Sequence, residues 1–422
     1  MTKTSIKLQG LLFIMVVIFS PAYNVTADPV NITSSPSPKG SGARAIGMGR
    51  SFLTVGNDAT AASWNPGCLI QLIKAEFSIV SAMVMKNESN EIHGDGIHTH
   101  WDQHLNTNDL NYISLTFPCE LFKKNMVFSL NYQHLYDFSR TWNMSINQSG
   151  QDLSMSRDAI HFQQSGKLSA IGFAWCIQVI PEFAVGVTLN FWKNKPDNQW
   201  QKFTKESGRI HDQETDTHYG YRYFSKDTYS FEGFNANIGV FWDISNQFQM
   251  GAVIKTPFTA AIEHDSEFHT DIIDHSTNTH YPAFFPSPTR HEQMKMPASY
   301  GIGVSYHPSQ HWVFSVDIYH IEWQNFLYQD KDGLSYSAST GIERDLSSVK
   351  PATQFHLGME YLFIQNPFVI PARCGFFYEP APAENSPDEY YGFTFGTGLS
   401  FKAYHFDLAY EFRFGRNVGK DI

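Results

Sequence analysis

From residue 183 to 191 the chain alternates without a break. Phe183, Val185, Val187, Leu189 and Phe191 share one face of an extended strand, and Ala184, Gly186, Thr188 and Asn190 share the other. A period of two is the signature of a β-strand with two unlike faces. The split recurs at 391–401, where Tyr391, Phe393, Phe395, Leu399 and Phe401 oppose Gly392, Thr394, Gly396, Gly398 and Ser400. It recurs at 406–414, where Phe406, Leu408, Tyr410, Phe412 and Phe414 oppose Asp407, Ala409, Glu411 and Arg413. Segments 126–133, 298–307, 312–319 and 354–363 follow the same rule, with lengths near the ~10 residues that a tilted transmembrane strand needs. A secreted soluble β-sandwich alternates too, but its polar face meets bulk water and is rich in Lys and Glu; here that face is mostly Gly, Ser, Thr, Ala, Asn and Gln. The pattern predicts an all-β, antiparallel transmembrane barrel.

The connections agree. Short polar turns at 118–125, 180–182, 243–247, 307–310, 365–367 and 402–404 alternate with long polar segments at 87–109, 139–157, 193–227, 262–295, 324–350 and 380–389. Barrels of the outer membrane pair short periplasmic turns with long external loops in this way. Counting from a first strand at 75–85 to a last at 405–414 gives thirteen readable strands. Single-chain bacterial barrels close with an even number. A fourteenth strand is therefore expected, either hidden within 193–227 or absent from the C-terminal end, as in a truncated or frameshifted gene.

The N-terminus carries Lys3 and Lys7, an apolar run over 11–19, and Val25-Thr26-Ala27 as a cleavage site. This predicts a secretory signal peptide, 1–27, too short in its apolar core to span a bilayer. The mean hydropathy of -0.30 excludes an inner-membrane helix bundle. Aromatic residues make up 15% of the chain, which suits the girdles of a barrel. A net charge of -11 offers no basic stripe for nucleic acid. Cys68, Cys119, Cys176 and Cys374 lack the spacing of a zinc site. They leave open a Cys119–Cys176 bridge or plain packing roles.

Before the first strand lies a segment that does not alternate. It reads Gly42-Ala43-Arg44-Ala45-Ile46-Gly47-Met48-Gly49-Arg50-Ser51-Phe52, then Asn57-Asp58-Ala59-Thr60-Ala61-Ala62-Ser63-Trp64-Asn65-Pro66-Gly67. Small residues at this density allow backbone to pack against backbone, which suits a plug inside the barrel; Asn57-Asp58 can cap a short helix, and Asn65-Pro66-Gly67 is a turn. The segment resembles the N-terminal hatch of the FadL/OMPP1/TodX family of outer-membrane transporters of hydrophobic compounds, with Gly67 where that family usually has Ala. Met296-Pro297-Ala298-Ser299-Tyr300-Gly301-Ile302-Gly303, continuing through Trp312 and Asp317 to Trp323, resembles its Pro-Ala-Ser strand and the hairpin after it. Residues 373–382 with Pro387-Asp388 resemble its late strand and Pro-rich loop. The resemblance spans 42–418 and implies a fourteen-stranded barrel, with a hatch at 28–73 and a wall at 74–422.

The resemblance further implies a monomeric channel in the Gram-negative outer membrane for passive uptake of long-chain fatty acids or other hydrophobic small molecules. The ligand would pass the hatch and leave through the wall into membrane lipid, with no cofactor or metal. The family's side opening lies at a kinked third strand, but 126–138 contains neither Gly nor Pro. Ligand-binding and hatch candidates are Arg44, Arg50, Phe52, Trp64, Asn65, Pro66, Gly67 and Arg413. A buried carboxylate needs a paired cation, which the three arginines offer, unless Arg413 pairs with Asp407 or Glu411 and the hatch arginines pair with wall acids. His93, His98, His100 and His104, and His264, His269, His275 and His280, group on external segments as a metal site or as polar filler. Two other classes stay open. One is an accessory barrel of protein secretion or assembly. The other, a lipid hydrolase, lacks a Gly-x-Ser-x-Gly elbow, so no enzyme is expected.

Overall fold

The structure is a computed structural model describing residues 40–94, 97–149, 153–193, 198–213, 216–416 and 418–419. The expected signal peptide lies outside the described residues. The strands, in chain order, are β1 Glu76–Gly94, β2 Ile97–Leu121, β3 Lys124–Asp137, β4 Arg140–Ser149, β5 Leu153–Ile180, β6 Phe183–Trp192 and β7 Gln199–Asp212. Next come β8 Thr217–Ser230, β9 Gly233–Ser245, β10 Phe248–Lys255, β11 Phe258–Asp274, β12 Thr279–Pro286, β13 Arg290–Met296 and β14 Ser299–Tyr306. The last are β15 Trp312–Ile321, β16 Leu327–Gln329, β17 Ser335–Ser337, β18 Ala352–Gln365, β19 Phe368–Tyr378, β20 Tyr390–Phe401 and β21 Tyr404–Gly415.

Thirteen of them form the wall, in the order β1-β2-β3-β5-β6-β9-β10-β14-β15-β18-β19-β20-β21, each antiparallel to the next. This matches the number of strands legible by alternation. Outward positions such as Phe173, Phe234, Trp242, Ile302, Phe393 and Phe412 are exposed apolar residues, as a lipid-facing belt requires. Inward positions such as Ser129, Asn131, Thr188, Asn237 and Ser315 are buried and polar. Among the described residues no ladder joins β1 to β21. Both strands run outward, so an antiparallel partner for both would have to run inward.

Four of the long segments are strands and not loops, which corrects the expectation there, while 324–350 and 380–389 are mostly loop as expected. Strands β1 and β2 stay paired out to Gly94 and Ile97. Segments 139–157, 193–227 and 262–295 form an external continuation of the sheet: β4 and β7 flank the outer half of β5, β8 pairs with β7, β11 with β8, and β12 and β13 with β11. The strands inside 193–227 are thus external and not a missed stave. Outside the membrane both faces of a strand can be polar, so the two-face contrast that marked the wall is missing there. Strand β3 keeps its ladder to β5 from Met126 to His134 and shifts register once, before Tyr136. That irregularity lies within 126–138, the strand where the family resemblance put a side opening, although the segment has neither Gly nor Pro.

Cys119 and Cys176 are free thiols, as are Cys68 and Cys374. The physical reason is the pleat: Cys119 shares the outward face of exposed Phe117, whereas Cys176 is buried and its thiol faces the Gly67 carbonyl oxygen at 3.4 Å.

Residues 40–72 pass through the lumen as two short helices, α1 Ala43–Gly47 and α2 Ala61–Trp64, and a 3-10 turn, Pro66–Gln71. The α2 helix takes no side-chain cap from Asn57 or Asp58. Asp58 instead accepts a hydrogen bond from the Thr60 N–H at 2.9 Å, a local turn that satisfies an otherwise orphan donor.

Candidate functional site

The hatch is seated by backbone contact first. The Asn65 carboxamide oxygen accepts from the Gly67 N–H at 3.0 Å, while its amide donates to Leu53 O at 2.7 Å and to Val240 O on β9 at 2.9 Å. One side chain thereby closes the turn, ties two hatch segments together and docks both on the wall. Pro66 starts the 3-10 turn, where its missing N–H costs nothing. A Cβ on Gly67 would stand 2.8 Å from the Val240 carbonyl carbon, so the departure from the usual Ala follows from close approach to β9. Trp64 donates to Ser41 O at 2.7 Å and meets Phe52 edge to face at 6.0 Å. The Phe52 and Leu53 N–H groups both donate to Asp317 of β15, at 2.6 and 2.9 Å. Together these contacts place the Phe52, Trp64, Asn65, Pro66 and Gly67 side of the hatch on β5, β6, β9, β10 and β15.

Charge seats the other side. Arg50 donates to Glu379 at 2.7 Å and to Glu411 at 2.6 Å, and only 2% of the Arg50 and Glu379 side chains is exposed. Arg413 also donates to Glu379 at 2.7 Å, and His356 Nε2 lies 3.2 Å from it. Arg44 forms a two-pronged pair with Glu360, at 2.8 and 3.1 Å, and Arg373 bridges Glu360 to Asp407 at 2.5 Å each. Arg413 therefore pairs with Glu379 and leaves Glu411 to Arg50 and Asp407 to Arg373. A ligand carboxylate reaching any of the three candidate arginines would have to displace a wall carboxylate.

Above the hatch the external end of the lumen is lined by a cluster of aromatic and aliphatic side chains carried by segments between β3 and β18. Phe138, Trp192, Trp200, Tyr229, Phe231, Trp323, Phe326 and Tyr328 are its aromatic members. Trp200 stacks on Tyr229 at 4.9 Å, and Trp192 stacks on Phe258 at 5.7 Å. Between this cluster and the hatch sits Lys255, at the outer end of β10. Gly251 and Val253 on the same face are buried, Val253 packing on Leu53 and Tyr319, while Phe258 reaches the cluster. Lys255 lies opposite Asn237 and Ser299, both buried. It makes no ion pair or hydrogen bond with another described residue. Alternation places Lys255 inward, but only the folded register shows that no acid stands opposite.

One expected histidine borders the cluster. His264 of β11 lies in the external extension, where outward neighbours such as Asp265 and Glu267 are polar. Its Nδ1 is 2.9 Å from Glu292 of β13 and its Nε2 2.9 Å from Asp227 of β8, and its ring stacks on Tyr229 at 4.1 Å. Burial disfavours the imidazolium, and Arg290 opposes it at 3.0 Å from Nε2. The hydrogen bonds to the two carboxylates outweigh both, so the His264 pKa is raised. Glu292 is held below the usual carboxylate range: burial works against this, and the His264 and Tyr328 hydrogen bonds prevail. A raised histidine pKa adds stability that is full below the unfolded value and is lost as pH rises through the folded one. Amide exchange of β8, β11 and β13 is accordingly expected to slow when pH is lowered from about 8 to about 6, after correction for intrinsic exchange, and not to do so in His264→Gln. Equal protection in both proteins at both pH values would contradict the clamp.

The structure brings all eight sequence candidates to the hatch and its docking wall. Sequence reading missed Glu360, Glu379, Arg373, His356 and Asp317 as their partners, although each except Glu379 lies in a strand whose alternation marks it as inward.

A membrane-spanning barrel with an internal N-terminal plug held by both backbone and buried charge defines the FadL type of outer-membrane barrel, and comparison with solved structures agrees on that fold. The CymD monoaromatic hydrocarbon channel matches with a TM-score of 0.54 at 13% identity, over 89% of this chain and 93% of that one. A Pseudomonas aeruginosa FadL homologue matches at 0.54 and 12%, over 92% of each chain. The Pseudomonas putida toluene transporter TodX matches at 0.50 and 12%, over 90% and 98%. No curated protein matches the sequence. The BamG family model matches residues 85–416, and the chain belongs to the BamG family.

Proposed function

We propose that this protein is an outer-membrane channel for hydrophobic compounds, with long-chain fatty acids among them, which are held at the aromatic cluster and pass beside the hatch. The observation that carries this reading is the apolar cluster lining the outer lumen. A pore for ions or sugars needs a wet, charged lining, whereas aromatic side chains above a plug favour an apolar ligand by about 25 cal/mol per Å² of buried surface. The structural neighbours with that fold are described as channels or transporters of monoaromatic hydrocarbon or toluene, or as a FadL homologue, and not as enzymes. Lys255 supplies the cation for an acidic headgroup, since the three arginines are engaged by acids.

The test is uptake of labelled oleate and toluene by cells lacking their own channel, with and without this gene. Gain of either supports the channel, and gain of neither sinks it. Lys255→Gln is expected to lower oleate affinity by roughly 10–100-fold, the worth of a charged hydrogen bond, and to leave toluene unchanged. Equal loss for both ligands would assign Lys255 a structural role instead.

A second reading, an accessory barrel of protein assembly or secretion, is favoured by one observation: the sequence matches the BamG model, while the uptake channels are matched in fold at low identity. A stable protein partner in mild detergent extracts, with no change in uptake on deletion, would select it.

A further inference from the structure

We propose that His211, Asp216 and His218, at the tip of the β7–β8 hairpin, form a surface site for a borderline divalent transition-metal ion such as Zn²⁺. His211 and His218 are directly opposite each other across the two strands, so their side chains leave the same face of the sheet. Their rings lie 4.2 Å apart and within 11° of parallel. The Asp216 carboxylate approaches His211 Nε2 at 3.1 Å. One ligand atom from each of the three residues falls within 4.8 Å of the other two. Around a tetrahedral Zn²⁺, ligand atoms stand ~3.3 Å apart, so turning the imidazoles by about an ångström closes the set.

The donor types choose the ion. Two imidazole nitrogens and one carboxylate oxygen suit Zn²⁺, Ni²⁺ or Cu²⁺, whereas Ca²⁺ and Mg²⁺ ask for oxygen alone. Three protein ligands leave a fourth position for water. A metal would take the Nε2 lone pair of His211 in place of the contact with Asp216, and because it binds only neutral imidazole, binding weakens at low pH.

The support beneath the site is rigid. Ile210 and Tyr219, next in sequence to the two histidines, are buried on the opposite face with Ile272 and Met155. Strand β7 is paired on both sides, to β5 and β8, and β8 is paired to β11. The His275 N–H donates to the His218 carbonyl at 3.1 Å, which anchors that backbone from the neighbouring turn. The ligands therefore do not have to be gathered from a disordered loop, which is where most of the cost of an accidental site lies. The other histidines on the external segments do not form a three-ligand group among the described residues.

The experiment is titration of the full-length protein in detergent micelles with Zn²⁺ by calorimetry, and with Co²⁺ by visible absorption. One saturable site per chain is expected. Its affinity should fall at least about tenfold in His211→Asn and in His218→Asn, a loss that even changes behind the ligands can cause. It should stay unchanged in the control His280→Asn/His311→Asn. The replaced side chains are on the surface of a paired hairpin, and a β-sheet circular dichroism spectrum like that of the parent confirms folding. No saturable binding by the parent, equal binding by His211→Asn/His218→Asn, or displacement of Zn²⁺ by equimolar Mg²⁺ would each overturn the proposal.

Discussion

Arg50→Met is expected to release the hatch while leaving the wall folded. Arg50 is the point where the plug's charge meets two wall acids, and both it and Glu379 are almost wholly removed from solvent. Taking away one partner of such a pair strands the other, at a cost of about 3–5 kcal/mol, whereas the intact pair contributes little beyond offsetting its own desolvation. Arg413 and His356 remain beside Glu379 and soften the loss there; Glu411 loses all three of its hydrogen bonds from Arg50. The measurement is limited proteolysis within residues 40–72 together with the passage of small polar solutes into proteoliposomes. Both should rise sharply in Arg50→Met and fall back part of the way in Arg50→Met/Glu411→Gln, which neutralises the carboxylate that loses its bonds to Arg50 and leaves Glu379 with Arg413. An Arg50→Met protein as resistant and as tight as the parent would show that the backbone contacts on β5, β6, β9 and β10 suffice to hold the plug.

The wall of this barrel was legible because lipid outside and a polar lumen inside force the two faces of each strand apart in composition, and thirteen strands follow that rule. The hatch was legible as a run of small residues with turn and cap chemistry. What the sequence hid has physical causes. Strands β7, β8, β11 and β12 stand in water on at least one face and place polar residues on both, as in 199–212, so no period rises above the background. Partners were hidden by distance along the chain: Arg44 and Glu360 are 316 residues apart, and Arg50 and Glu411 are 361 apart. Every inward charge is a candidate for every other until the register of β18–β21 is known. Lys255 looks like any other inward lysine in the sequence, and stands out only because its cross-strand neighbours are Asn237 and Ser299. The His211–His218 pair is a property of hairpin register alone.

Gly375→Val should act on the same seat as Arg50→Met, by steric exclusion instead of charge. Gly49 takes a left-handed backbone, φ 61, directly before Arg50 at φ 66, and this reversal aims the guanidinium at β21 and the end of β19. A left-handed glycine has no Cβ to clash with the next carbonyl, and the non-glycine Arg50 keeps its own costly angle because its ion pairs hold it. The reversal fits only because β19 presents Gly375 to it. A Cβ there would collide with the backbone nitrogen of Gly49, and on Gly49 itself one would stand 2.8 Å from the Phe376 nitrogen. Neither obstacle is a movable side-chain end, so a side chain at 375 has to push the hatch off the wall. Overpacking of a core costs about 1–3 kcal/mol where neighbours can adjust. Here adjustment also draws Arg50 away from Glu379 and Glu411, so the expected loss exceeds that range and resembles Arg50→Met in proteolysis and solute passage. The two changes act through one contact, so Gly375→Val/Arg50→Met should lose much less than the sum of the two. Full additivity would mean that the glycine contact and the ion pairs hold separate parts of the plug.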